Sequence, residues 1–111
     1  MNAIVVSGLD NWRPVPGVEH DDVTVGGTAV GIGDLNKAAK KILITVEDAP
    51  VIVTYNGTTP SASNGSVYLP QTVLALGRQM ARAMKAIRYG STNARLHVEE
   101  CQFDNGARSE T

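Results

Sequence analysis

From Val23 onward the apolar residues of this chain recur at every second position, in short runs separated by Gly, Pro and Asn. Alternation of that kind sends neighbouring side chains to opposite faces of an extended strand, and no helix can use it. In KILITVE (41–47) Ile42, Ile44 and Val46 share one face, and Leu43, Thr45 and Glu47 the other. PVIVTY (50–55) places Val51, Val53 and Tyr55 together, with Ile52 and Thr54 opposite. In ARLHVEE (94–100) Ala94, Leu96 and Val98 point one way, and Arg95, His97 and Glu99 the other. SVYL, VLAL and MKAIRY supply further runs, the first two split at Pro70-Gln71. About seven or eight short strands with turn signals between them predict an all-β fold, an antiparallel β-sandwich of jelly-roll type.

Two stretches depart from the pattern. DLNKAAKK (34–41) is the better of two candidates for a helical turn, and GRQMARAM (77–84), with Ala-rich spacing, is the other. Both are too short to be stable helices alone. VTVGGTAVGI carries Gly26-Gly27 where a bulge or sharp bend would interrupt a strand. Residues 1–22 have no period, and Pro14 and Pro16 lack the N–H that a central strand donates. They are expected to form an extended arm, with Ala3–Val6 able to pair as a strand, ahead of a sandwich domain at 23–111. Trp12 beside Arg13 is a pairing enriched in binding hot spots. The alternative is that Trp12 folds back as a lid on its own core.

A chain of 111 residues with 42% hydrophobic side chains forms one domain and can build a core without metals or disulfides. Aromatics make up only 5%, so Val, Ile, Leu, Met and Ala must fill it. The 10 basic and 11 acidic residues are spread along the chain, with no basic stripe to neutralise phosphates, so nucleic acid is not an expected partner. No run approaches the ~20 apolar residues of a membrane-spanning helix, and MNAIVVSGLDNW lacks the basic start of a secretory signal. Cys101, the single cysteine, excludes an internal disulfide; beside Glu99 and Glu100 it reads as an inert strand residue.

Reactive chemistry is hard to assemble. Glu19-His20-Asp21-Asp22 has metal-binding residue types, but alternate side chains of an extended chain diverge and no partner is indicated. A solvated turn is the simpler reading. His97, between Arg95 and Glu99, reads as a surface residue paired across strands. No serine sits in a nucleophile elbow, and GGTAVGIG lacks the lysine and following helix of a phosphate loop. No catalytic residue, metal or cofactor is therefore expected, and the chain is not read as an enzyme. VTYNGTTPSASNGSVYLP (53–70) carries two Asn-Gly pairs around Thr, Ser and Pro60, which turn chemistry explains in full.

Part of the chain resembles a known family. The stretch ITVEDAPVIVTYNGTTPSASNG, followed by LALGRQMARAMKAIRYGSTNARLHV, is similar to small virion proteins of tailed bacteriophages. It is nearest to the capsid staple, or cement, proteins of epsilon15-like podoviruses. The likeness covers Ile42–Val98, and GTTPSAS and KAIR are its specific parts. It implies a jelly-roll-like sandwich on the outer surface of a phage head, binding neighbouring major capsid protein subunits, made in the host cytoplasm. Two positions depart from the family pattern. Asn56 replaces an Asp before Gly, and Ile52 replaces an Arg on an outward strand face, which makes Ile52 a candidate contact residue. A second resemblance, of the Tyr55–Pro60 region to immunoglobulin-like accessory modules of chitobiase-type glycoside hydrolases, implies a sugar-binding module instead. A tail or baseplate connector could use the same fold.

On the first resemblance, Trp12, Arg13, Pro14 and Val15 of the arm are expected to pack on the capsid. Closed two-fold dimers are the commonest oligomers, so self-association as a homodimer is expected, with a trimer as the alternative. Loop 56–66 is then a distal tip or an edge of the dimer seam.

Overall fold

The computed structural model describes residues 12–19 and 22–103. The expected pairing of Ala3–Val6, and His20 and Asp21 of the acidic cluster, lie outside them. Eight strands and one short helix follow in order: β1 (Trp12–Pro14), β2 (Asp22–Val25), β3 (Lys41–Glu47), β4 (Val51–Thr54), β5 (Ser66–Tyr68), β6 (Val73–Gly77), α1 (Arg78–Ala83), β7 (Lys85–Arg88) and β8 (Ala94–Phe103). They make two antiparallel sheets, the all-β sandwich that the alternation predicts.

The larger sheet is built on the ten-residue β8, whose Arg95–Cys101 pair with β3 along one side. Its other side holds two short strands end to end: β2 opposite Ala94–His97 and β1 opposite Cys101–Phe103. β3 continues to β6, which closes the sheet order. The smaller sheet runs β5-β4-β7. Pro14 falls in β1, at the edge of the sheet, where a missing N–H is tolerated.

The parity read from the sequence sets the core. Ile42, Ile44 and Val46 of β3, Val51 and Val53 of β4, and Leu96 and Val98 of β8 all face inward, with Met84, Ala86 and Val25 filling between them. No aromatic ring is among the buried hydrophobic residues described. Tyr55 and Tyr68 flank the core, their hydroxyls 3.0 Å apart. Burial and that hydrogen bond push the Tyr55 phenol well above its ordinary range, so it stays neutral.

Of the two helix candidates, 77–84 holds α1, whose Ala81 is fully buried. The other, 34–41, is corrected: it is a loop leading into β3. Asn36 is the reason. Its side-chain Oδ1 accepts from the Ala38 N–H at 2.8 Å, and its own N–H donates to Glu100 Oε1 at 2.6 Å. The Arg78 guanidinium then donates to the carbonyls of Leu35, Asn36 and Ala39. A single turn closes, the Ala39 N–H donating to the Asn36 carbonyl at 3.0 Å, but it is not continued into a helix because the neighbouring groups go to an Asx-type turn and to distant partners.

Candidate functional site

The outer faces of the two sheets differ in kind. On the larger sheet β2, β3 and β8 turn out Asp22, Thr24, Thr45, Glu47, Arg95, His97 and Glu99, a mainly polar surface that gives way to Leu43, Val73 and Ala75 toward β6. The smaller sheet turns out aliphatic residues in register: Val67 and Ile87 lie on either side of Ile52. One step along, the Tyr89 N–H donates to the Pro50 carbonyl at 3.0 Å, carrying the ladder past the end of β7. Leu69 follows β5 on the same parity as Val67. Val67 is 47% exposed, Leu69 60% and Tyr89 51%. Isolated apolar side chains at a surface are ordinary, whereas a contiguous apolar face marks a contact site.

Ile52 does face away from the core, but it is only 4% exposed, which corrects the expectation of an open contact residue. It sits on the central strand, flanked by Val67 and Ile87, and Gly65 lies directly against it. Its role is to support the apolar face from beneath.

Loop 55–65 folds on itself. Asn56 Oδ1 accepts from the Thr58 N–H and hydroxyl, at 3.2 and 2.6 Å, and the Asn64 amide donates to Thr58 Oγ1 and the Thr59 carbonyl. Ser61 and Asn64 exchange backbone hydrogen bonds, Thr54 Oγ1 donates to the Thr58 carbonyl, and Pro60 is fully buried. A shallow depression of about 320 Å³ between Val53–Asn56 and Asn64–Ser66 contains no carboxylate, imidazole or thiol. The loop's polar groups are spent on its own shape.

The arm residues divide. Trp12 is half-buried and meets Phe103 edge to face, with ring centroids 5.5 Å apart and planes at 81°. Lys41 Nζ lies 5.1 Å from the Trp12 ring centroid, a cation–π contact. Trp12 is not among the side chains packed on the main core; it caps the end of β8 rather than closing the sandwich. Arg13 and Pro14 are exposed. Val15 is not: at 7% exposure it belongs to the core, and its N–H donates to the Glu100 carbonyl at 2.9 Å. Its assignment to a partner contact is corrected, because its apolar surface is already used. Phe103, 41% exposed, joins Trp12 at this corner, and sequence reading passed over it because its partner lies 91 positions away (103 − 12).

The charged side chains of the larger sheet form one network. Arg95 reaches Asp22 at 2.9 Å, Glu47 at 2.5 Å and Asp48 at 3.4 Å, and His97 Nδ1 lies 2.8 Å from Asp22. His97 is thus the cross-strand surface residue that its neighbours predict. The hydrogen bond from His97, followed by those from Arg95, holds the Asp22 carboxyl below its ordinary range despite opposing desolvation. Cys101 is buried, and burial with the nearby Glu99 charge raises its thiol pKa, so it is poorly reactive. Among the described residues no group of three or more His, Cys, Asp or Glu could hold a metal ion.

A depressed carboxyl pKa stabilises the fold above the unfolded value near 3.9 and loses that stability as pH falls through the folded value. Thermal melts should therefore show wild type losing stability below about pH 4 more steeply than Asp22→Asn. Parallel curves would show that the pairing at Asp22 does not hold β2 to β8.

No family model, curated protein or solved structure matches this chain.

Proposed function

We propose that this chain is a virion structural protein that decorates the outside of a phage head and strengthens it by binding neighbouring major capsid protein subunits. The observation that carries a binding role is the difference between the faces: Val67, Leu69 and Tyr89 stand exposed on an aliphatic sheet face, while the opposite sheet is polar across β2 and β8 and has only Leu43, Val73 and Ala75 as apolar outward residues on β3 and β6. The capsid as partner is supported by the resemblance of Ile42–Val98 to phage staple proteins. The smaller sheet lies within that stretch. Trp12, Arg13 and Pro14, with Phe103, offer a second, smaller contact at the far end of β8.

The mechanism is linkage. A protein that binds only the assembled lattice stabilises it by RT ln(1 + [L]/Kd), about 2.7 kcal/mol per copy at a hundredfold excess over Kd. Engagement of two subunits at once raises avidity over single-site affinity by roughly 10²–10⁴.

The test is to add purified chain to heads, tails and a glycan array. Saturable co-sedimentation with undecorated heads is expected. Recovery with tails alone would make it a connector, a glycan signal would make it a sugar-binding module, and turnover of a substrate would end the structural reading. In the same assay Trp12→Ala is expected to weaken head binding about tenfold, or about 1.4 kcal/mol. Unchanged binding would remove the arm from the interface.

A further inference from the structure

We infer that two copies of this chain join through β6, edge to edge about a two-fold axis at Ala75. Such pairing is independent of what the aliphatic face binds. β6 ends the order of its sheet. Val46 donates to the Thr72 carbonyl at 2.9 Å, so by the alternation of an antiparallel ladder Ile44 and Ile42 exchange hydrogen bonds with Leu74 and Leu76. Val73 and Ala75 then turn both N–H and C=O to the open edge. Gly77 turns out its N–H, its carbonyl being at the start of α1. Among the described residues no backbone hydrogen bond outside α1 reaches that side of β6.

Protected edge strands carry a lysine, a proline or a bulge. VLALG carries none. It is instead close to self-complementary: read against itself antiparallel, Ala75 meets Ala75, Leu74 meets Leu76, and Val73 meets Gly77. Leu74 and Leu76 face the core side, 6% and 7% exposed, so pairing would extend the aliphatic interior across the axis. A methyl group against a methyl group at the axis raises no steric barrier, and Ala75 N–H and C=O would bond reciprocally.

Charge favours the same arrangement. The Val73 end of β6 lies beside Thr45, next to Glu47 and Asp48, which share the one cation Arg95 with Asp22; the Gly77 end lies beside Lys41 and runs into α1 with Arg82, and with Arg78, which is bonded to the carbonyls of Leu35, Asn36 and Ala39. A two-fold axis sets the acidic end of one copy against the basic end of the other. Self-complementary sequence and opposed charge both specify a second copy rather than an unrelated strand.

Sedimentation equilibrium on the full chain tests this. Wild type is expected to have the mass of two chains, and Ala75→Pro that of one. Proline there removes an outward N–H that the single chain does not use, so the fold should survive. Ala75→Lys, which places two ammonium groups across the axis, is the second arm and should weaken dimerisation about a hundredfold with unchanged circular dichroism. A wild type that stays monomeric at high concentration, a trimer, or a folded Ala75→Lys variant that dimerises as tightly as wild type would each overturn the inference.

Discussion

Gly65→Ala is expected to destabilise the protein by about 3 kcal/mol, combining backbone strain with overpacking. Gly65 has φ +132°, a region that side chains rarely adopt, and an added Cβ would lie 2.7 Å from Ile52 Cγ2 and 2.8 Å from the Val53 carbonyl oxygen. Neither neighbour can give way cheaply. Val53 belongs to the central strand of the smaller sheet, paired on both sides, and Ile52 is wedged between Val67 and Ile87. The control is Gly57→Ala, at φ +83° with nothing within 4 Å of an added Cβ, where only the left-handed backbone penalty of about 1 kcal/mol applies. Urea unfolding should place the Gly65 variant's midpoint roughly 2 M below wild type, well beyond the control. Equal shifts would mean that the loop base does not press on Ile52.

Loading the aliphatic face with charge should have the largest effect on binding. Leu69→Glu with Tyr89→Glu is expected to weaken attachment to heads by roughly a hundredfold or more, because two exposed anchors at a dry contact are replaced by carboxylates that resist desolvation. Both side chains are more than half exposed, at 60% and 51%, so the free protein should lose no more than about 0.5 kcal/mol of stability. The measurement is co-sedimentation over a concentration series, with melting temperature as the fold control. Full binding by a folded double variant would move the interface to the Trp12 corner or the polar sheet.

The parity of the strands was readable because it is local. Ile42, Ile44 and Val46, or Leu96 and Val98, declare their common face within a few residues, and the structure keeps them together. What depended on distance was not readable. Nothing in VIVT tells that Ile52, although outward, is roofed by Gly65 and hemmed by Val67 and Ile87. Nothing in WRPV tells that Val15 turns into the core while Arg13 stays outside. The loop at 34–40 has helical spacing, yet Arg78 and Glu100, 42 and 64 positions from Asn36, claim its backbone. The candidate contact surface itself was half visible: the outward parity of Ile52 pointed to the same sheet face, but the exposed members, Val67, Leu69 and Tyr89, come from strands whose order the chain does not spell out.

The antiparallel match of Trp12 with Phe103 has a practical consequence. The polypeptide enters and leaves the described body side by side at a single corner, across one strand spacing of about 4.8 Å. A peptide or fluorescent domain fused directly to Trp12 or to Phe103 would thus emerge from the same spot, remote along β8 from the turn at its other end. Trp12 and Phe103 could equally be joined by a short linker and the described body reopened at 90–93, leaving its eight described strands intact.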